Sequence, residues 1–271
     1  MLGLGWRHPH HEELLRRLPR LPLLEVHAEN FFAKGGAAPG LLMAAREHYE
    51  ISLHAVGLGL GSAAGLDEAH LQQLAELAAR VQPRFVSDHA CFARVQGMSG
   101  VQHAADLLPV AFDEANLRRL VAHVGQVQDC LRRPLLVENL SAYVRWTGDE
   151  LAEPQFFNEL VRRSGCALLL DVNNLLVNAR NEAAGEGDGA MVLDSCRQWI
   201  ERLDDGSVTE IHVAGHAQVD GLFIDDHGSA PSDACWQLLD HARQRFPLAQ
   251  GLLEWDTDIP SFDVLLAGIE R

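Results

Sequence analysis

Short β-prone apolar runs and helix-period segments alternate from one end of this chain to the other, and that alternation constrains the fold more than any other feature. It is the pattern of a parallel sheet covered by helices. Strands are expected at residues 2–6, 21–27, 51–54, 84–88, 134–138, 167–171, 208–213 and 250–254. Helices are expected at 12–18, 41–49, 67–81, 113–131, 153–163, 190–203, 232–246 and 261–269. Their apolar residues recur three and four apart, as in Leu71, Leu74, Ala78 and Val81, and Asp67, Asp113 and Ser232 stand where N-terminal caps belong. Eight such units have the proportions of a (β/α)8 TIM barrel, with a doubly wound open sheet as the alternative. The connections into strands are short (19–20, 82–83, 132–133), whereas those leaving strands are long (90–112, 172–189, 214–231). Barrel enzymes build their active sites on the second kind.

Composition narrows the class. At 271 residues with 47% hydrophobic and 22% charged side chains, the chain is an ordinary globular protein, read as one TIM-barrel domain over 1–271. Acidic residues outnumber basic ones 38 to 22, a net charge of −16 that repels nucleic acid and anionic lipid. No apolar run approaches the ~18 to 20 residues that span a bilayer, and the segment from Met1 to His10 has no signal-peptide pattern. Five dispersed cysteines, none in a C-x-x-C pair, read as buried thiols of a cytoplasmic protein. Lys34 is the only lysine and lies in a Gly-rich turn, so Schiff-base chemistry is set aside.

The chemistry lies at the strand ends. His54, His89, Glu138, Asp171, His212 and Glu254 close or follow six of the strands, and Asn174, Asp225 and His227 lie in the loops beyond. Taken singly, each has a bland explanation. His54 and His89 read as core histidines, Glu138 as an arginine partner, and Asp171 as the start of an Asx turn. Together they do not, because a closed barrel brings every strand C-terminus to one mouth. A ring of imidazoles and carboxylates there needs cations among it. A divalent ion takes four to six ligands, so nine candidates suggest two or three ions, with a carboxylate such as Glu138 bridging. Imidazole, carboxylate and amide donors without cysteine favour Fe, Mn or Zn. His216 and Asp256 are read as groups that orient ligands or move protons, whereas Asp226 reads as solvated. The run from Gly57 to Ser62 does not have phosphate-loop spacing and is read as a close backbone approach.

These residues also carry a resemblance. Gly3-Leu4-Gly5-Trp6-Arg7, Glu29-Asn30, Ser52-Leu53-His54, Ser87-Asp88-His89, Glu138-Asn139, Asp171-Val172-Asn173-Asn174, His212-Val213-Ala214-Gly215-His216, Asp225-Asp226-His227 and Glu254-Trp255-Asp256 resemble the multinuclear non-haem iron-dependent oxidases. The family includes the methanobactin biosynthesis oxidase, on a xylose-isomerase-like barrel. The resemblance implies a site of two or three irons that uses dioxygen to oxidise a side chain, most often cysteine, of a ribosomally made precursor peptide. It places one iron on His54, His89 and Glu138, a second on Glu138, Asp171, His212 and Glu254, and a third on Asn174, Asp225 and His227. Asn173 adjoins Asn174, which leaves open which amide ligates. The resemblance also implies a separate small partner protein that recognises the leader peptide. Where relatives often have Asp-Thr-His, this chain has Asp225-Asp226-His227, which adds a negative charge beside the third ion.

Other functions fit the same ligands. A divalent-metal sugar isomerase, epimerase or hydrolase needs carboxylates and imidazoles at strand ends, though usually with a lysine. A zinc endonuclease needs a basic DNA surface, against the charge here. A scaffold would keep the metals without oxygen consumption.

Overall fold

The computed structural model describes residues 1–98, 100–183 and 189–271. Twelve strands and nine α-helices occur among these residues. The strands are β1 (Gly3–Gly5), β2 (Leu24–His27), β3 (Ile51–His54), β4 (Phe85–His89), β5 (Cys91–Gly97), β6 (Gly100–Pro109), β7 (Leu136–Glu138), β8 (Ala167–Asp171), β9 (Val208–Val213), β10 (Ala217–Val219), β11 (Leu222–Ile224) and β12 (Gln250–Leu253). The helices are α1 (His11–Arg17), α2 (Ala37–Arg46), α3 (Glu68–Val81), α4 (Glu114–Leu131), α5 (Glu153–Ser164), α6 (Val172–Glu182), α7 (Gly189–Glu201), α8 (Asp233–Arg245) and α9 (Phe262–Ile269).

Eight strands close into a parallel barrel in the order β1-β12-β9-β8-β7-β4-β3-β2, so the TIM-barrel expectation holds and the open sheet is excluded. The seam joins β1 to β12, with Gly3 opposite Leu252. Each helix turns its apolar stripe to the sheet. On α3, Leu71, Leu74, Leu77, Ala78 and Val81 are buried, while the Asp67 carboxylate accepts from the backbone N–H of Ala69 and His70. Each such leucine contributes on the order of 2 kcal/mol. Asp113 and Ser232 cap α4 and α8 in the same way.

The long connections hold more structure than the sequence pattern suggests. Residues 90–112 form the antiparallel β5–β6 hairpin, and 214–231 contain the β10–β11 hairpin. Within 172–189, read as a loop, α6 begins directly after β8, and 184–188 lie outside the described residues. Asparagines mask that helix in the sequence, and an Asp171 cap with buried Val172, Leu175 and Leu176 creates it. Helix α2 starts at Ala37 rather than Leu41, because Pro39 falls in its first turn, where the missing N–H costs nothing. The glycine run is a close approach as expected. A Cβ on Gly61 would collide with Val110 Cγ1, which seats the run against the β5–β6 hairpin.

Candidate metal centre

The barrel delivers the strand-end residues to one mouth. Register places His89 opposite Glu138 on β4 and β7, and Asp171 opposite His212 on β8 and β9. Glu254 follows β12, Asn174 sits in the first turn of α6, and Asp225 and His227 follow β11. Gly215 allows the last of these positions. A Cβ there would collide with the Ser229 carbonyl oxygen, so only glycine lets the loop carrying His227 fold against the end of β9. The mouth is a cavity of about 610 Å³ lined by His54, His89, Glu138, Asn174, Asp225, His227, Glu254 and Asp256, among others.

Glu138 stands between two clusters. Its Oε2 lies 3.4 Å from His54 Nε2 and 3.3 Å from His89 Nε2, while Oε1 faces His212 Nδ1 at 3.8 Å. Beyond it, Glu254 Oε2 lies 2.9 Å from His212 Nδ1 and 3.3 Å from His227 Nδ1. His227 Nε2 in turn lies 2.7 Å from Asp225 Oδ1 and 3.9 Å from Asp171 Oδ2. All nine residues expected as ligands therefore line this mouth or lie against those that do.

Several of these atoms are buried without a hydrogen bond. They include His89 Nδ1, Glu138 Oε2, Asp171 Oδ2, Asn174 Oδ1, His212 Nδ1 and His227 Nε2. His212 and His227 have carboxylate oxygens within 3 Å of those nitrogens, yet the directions do not suit an N–H···O bond. Donor atoms close together but misdirected toward each other suit a shared cation. Three donor sets in which each atom lies within 4.8 Å of the others meet here: His54, His89 and Glu138; Glu138, Asp171 and His212; and Asp171, His227 and Glu254. The residues present therefore fit a multinuclear metal group.

Asp171 reconciles two sequence readings. Its Oδ1 accepts from the Asn174 backbone N–H at 2.7 Å and caps α6, while Oδ2 is left toward the centre. The adjacent asparagines also separate. Asn174 donates to the Asn139 carbonyl at 3.0 Å, leaving its own oxygen without a partner, whereas the Asn173 amide is occupied on both sides. Asn173 donates to Asp225 Oδ1 at 2.7 Å and faces His216 Nδ1 at 2.7 Å through Oδ1. Among the described residues, His216 is tied to the centre through Asn173 and Asp225. Asp256 lines the mouth and accepts from Arg7 Nε at 2.5 Å.

The sequence reading missed a layer beneath the mouth. Glu25 Oε2 takes a hydrogen bond of 2.7 Å from His212 Nε2, and Ser52 donates to Glu210 at 3.1 Å, all fully buried. Arg7 holds Glu25, Glu254 and Asp256 together from β1's end, and His27 stands 3.8 Å from Glu254. A signal for two of these exists. Glu25-x-His27 and Glu210-x-His212, like Ser52-x-His54 and Ser87-x-His89, place polar residues two apart, on one face of a strand.

As protein groups alone, the donors carry more charge than burial tolerates. Burial pushes Glu138 up to about 8 and Asp171 to about 7, against the pull of neighbouring imidazoles. Burial opposes a charge on His89, but Glu138 and Asp88 outweigh it and raise the pKa to about 9. His54, buried beside His89, is driven well below the ordinary histidine value. Glu254 falls well below the carboxylate range because His212 and His227 overcome its burial.

Comparison with known proteins agrees with this geometry. Residues 1–271 match the family described as RiPP precursor modification enzyme MbnB/TglH/ChrH, in which RiPP denotes a ribosomally synthesised and post-translationally modified peptide. The chain belongs to that family. It is the family its motifs resemble. A UPF0276 protein of Caulobacter vibrioides is 38% identical over 269 residues, covering 99% of this chain and 91% of the relative. Among solved structures, a D-tagatose 3-epimerase-like protein matches with TM-score 0.58 at 12% identity, over 100% of this chain and 95% of its own. Endonuclease IV from Thermus thermophilus matches with TM-score 0.55 at 16% identity, over 99% and 98%. These two likenesses establish the xylose-isomerase-like barrel and carry no activity with them. Membership of the family makes the chain an enzyme acting on a RiPP precursor. Among the described residues no helix is long and apolar enough to cross a membrane.

Proposed function

We propose that this enzyme holds two or three iron ions at the barrel mouth and uses dioxygen to oxidise a side chain, cysteine foremost, of its precursor peptide. The observation that carries the reading is Glu138, whose two oxygens face different donor clusters, as a bridging ligand requires. In this proposal His54, His89 and Glu138 hold one ion. Glu138, Asp171, His212 and Glu254 hold the next, and Asn174, Asp225 and His227 a third. When bound, the irons supply Lewis acidity toward a substrate thiolate and the electrons for reaction with dioxygen.

The surrounding residues have their own work. Burial and Glu254 push the Asp256 pKa up, and Arg7 with His227 outweighs them, so its carboxylate is ionised at neutral pH. In this proposal Asp256, which lines the cavity with its Oδ2 3.7 Å from His27 Nε2, accepts the proton of an entering thiol. Arg7 holds Glu254 in place by donating to its other oxygen at 2.9 Å. Glu25 fixes the His212 ring so that Nδ1 faces the centre. A sugar epimerase remains supported by fold alone, and Lys34 is exposed and paired with Glu76, far from that role. We further propose that the enzyme works in the cytoplasm with a separate small protein that presents the leader peptide.

Metal content after oxygen-free purification from iron-supplemented cells tests the reading. Two to three irons per chain, falling in His54→Ala and Asp171→Ala, together with oxygen uptake on adding the peptide encoded beside its gene, are expected. Less than one metal per chain, unchanged by either substitution, would overturn it.

A further inference from the structure

A second cavity, of about 390 Å³, opens beside the mouth. Pro109 and Val144 line both, so the two are continuous along one surface. Phe112, Trp146 and Trp199 wall the second cavity, and a carboxylate, Glu153 at the start of α5, lies among them. Trp199 Nε1 donates to Glu153 Oε2 at 3.0 Å. Among the described residues no hydrogen bond reaches the other oxygen of Glu153, and no cation is committed to it. Two arginines also line the cavity: Arg145 is paired with Glu182, and among the described residues neither it nor Arg202 forms an ion pair with Glu153. Asp149 adds negative charge, and its Oδ1 is taken by the Phe112 backbone N–H at 2.8 Å. Burial therefore dominates at Glu153 and raises its pKa to about 7, with Trp199 and Arg145 opposing only in part.

Aromatic walls around a carboxylate that no ion pair holds are the chemistry that receives an organic cation on an apolar stem. The rim residues Val144 and Trp146 are 57% and 47% exposed, so the entrance faces solvent. We infer that this cavity takes a lysine or arginine side chain of the precursor peptide, its head group on Glu153 and its stem against Trp146 and Trp199, while another part of the same peptide enters the mouth. The inference rests on the reading of the chain as a peptide-modifying enzyme. It adds a sequence requirement to it: a basic residue at a fixed distance from the modified one. The acidic chain and the peptide's cation are complementary in sign, and the contact fixes the register of an otherwise flexible substrate.

The test uses short synthetic cysteine peptides made in pairs, with lysine or its uncharged isostere norleucine at each position in turn. Binding to the metal-loaded enzyme is read by fluorescence anisotropy. At one position the lysine peptide binds the wild type about tenfold more tightly than its norleucine twin, and in Glu153→Gln the difference falls below about twofold. Glutamine keeps an acceptor for Trp199, so this variant retains the α5–α7 contact and the wild-type metal content. Trp146→Ala, on the exposed rim, weakens the same lysine peptide and serves if Glu153→Gln does not fold. No position with a lysine preference in the wild type, or a preference that survives both substitutions, overturns the inference. Binding is read without turnover. A peptide bound with this preference but left unoxidised sinks the oxidase reading and leaves the pocket standing.

Discussion

The corner of the mouth around Glu138 takes its donors from the ends of adjacent barrel strands β3, β4 and β7, which are hydrogen-bonded to one another along their length. The corner around His227 takes Asp225 and His227 from a loop beyond β11 and Asn174 from a helix start. In the first corner, the sheet sets the spacing between donors. In the second, side-chain hydrogen bonds from Ser141 and Asn173 to Asp225, and the backbone fit at Gly215, must set it. Strand-built positions resist change, while loop-built ones can be retuned by a neighbour such as Asp226.

The largest effect separates the corners by metal count. Glu138→Gln, which removes the proposed bridge, is expected to cost roughly two of three metals and nearly all activity, whereas His227→Ala costs about one. Elemental analysis of both variants checks this, and equal losses would erase the distinction. Next in size is Glu25→Gln, which weakens the hold on the His212 ring and lowers metal affinity about 10- to 100-fold without touching a ligand. Competition with a chelator measures it, and wild-type affinity would show that Glu25 orients nothing.

The metal-free mouth has a pH response of its own, and both corners contribute to it. His89, Glu138 and, beneath them, Glu210 have folded pKa values raised to about 9, 8 and 8, from 6.5, 4.5 and 4.5. The folded metal-free chain therefore binds more protons than the unfolded one between those limits, and stability falls as pH rises from 7 to 9. His227, raised well above the ordinary histidine value because Asp225 and Glu254 outweigh its burial, adds to the same slope, while Asp225 is lowered and contributes nothing in that window. Melting of the chelator-treated enzyme should drop by several degrees over the interval, and metal loading should flatten the slope, since bound donors are already deprotonated. A midpoint that climbs with pH would contradict the assignment. The smallest effect belongs to Asn173→Ala, which removes one hydrogen bond from Asp225. It should weaken the third metal by less than about tenfold and leave the Glu138 corner unchanged, as sequential metal titration would show.

The difference between the corners also explains what the sequence discloses. His54, His89, Glu138 and Asp171 interrupt apolar strands where nothing in packing calls for them, so both the barrel and most of its mouth are legible residue by residue. Glu25 and Glu210 lie one inward step below, in mid-strand, where a reading of strand ends alone passes over them. Arg7 follows β1 with no periodic neighbour, and its three carboxylate partners come from β2 and beyond β12. No local pattern predicts a contact of that kind. Helix α6 is hidden both by its asparagines and by its cap, Asp171, which is also the last residue of a strand.

The Arg7 contacts bear on when the site comes into being. Arg7 and Asp256 are 249 residues apart, and the guanidinium joins the first strand to the residues that follow the last. A chain still emerging from the ribosome has the histidines of β3 and β4 in hand well before Glu254 and Asp256, which follow β12. Barrel closure and charge balance at the mouth are thus the same event.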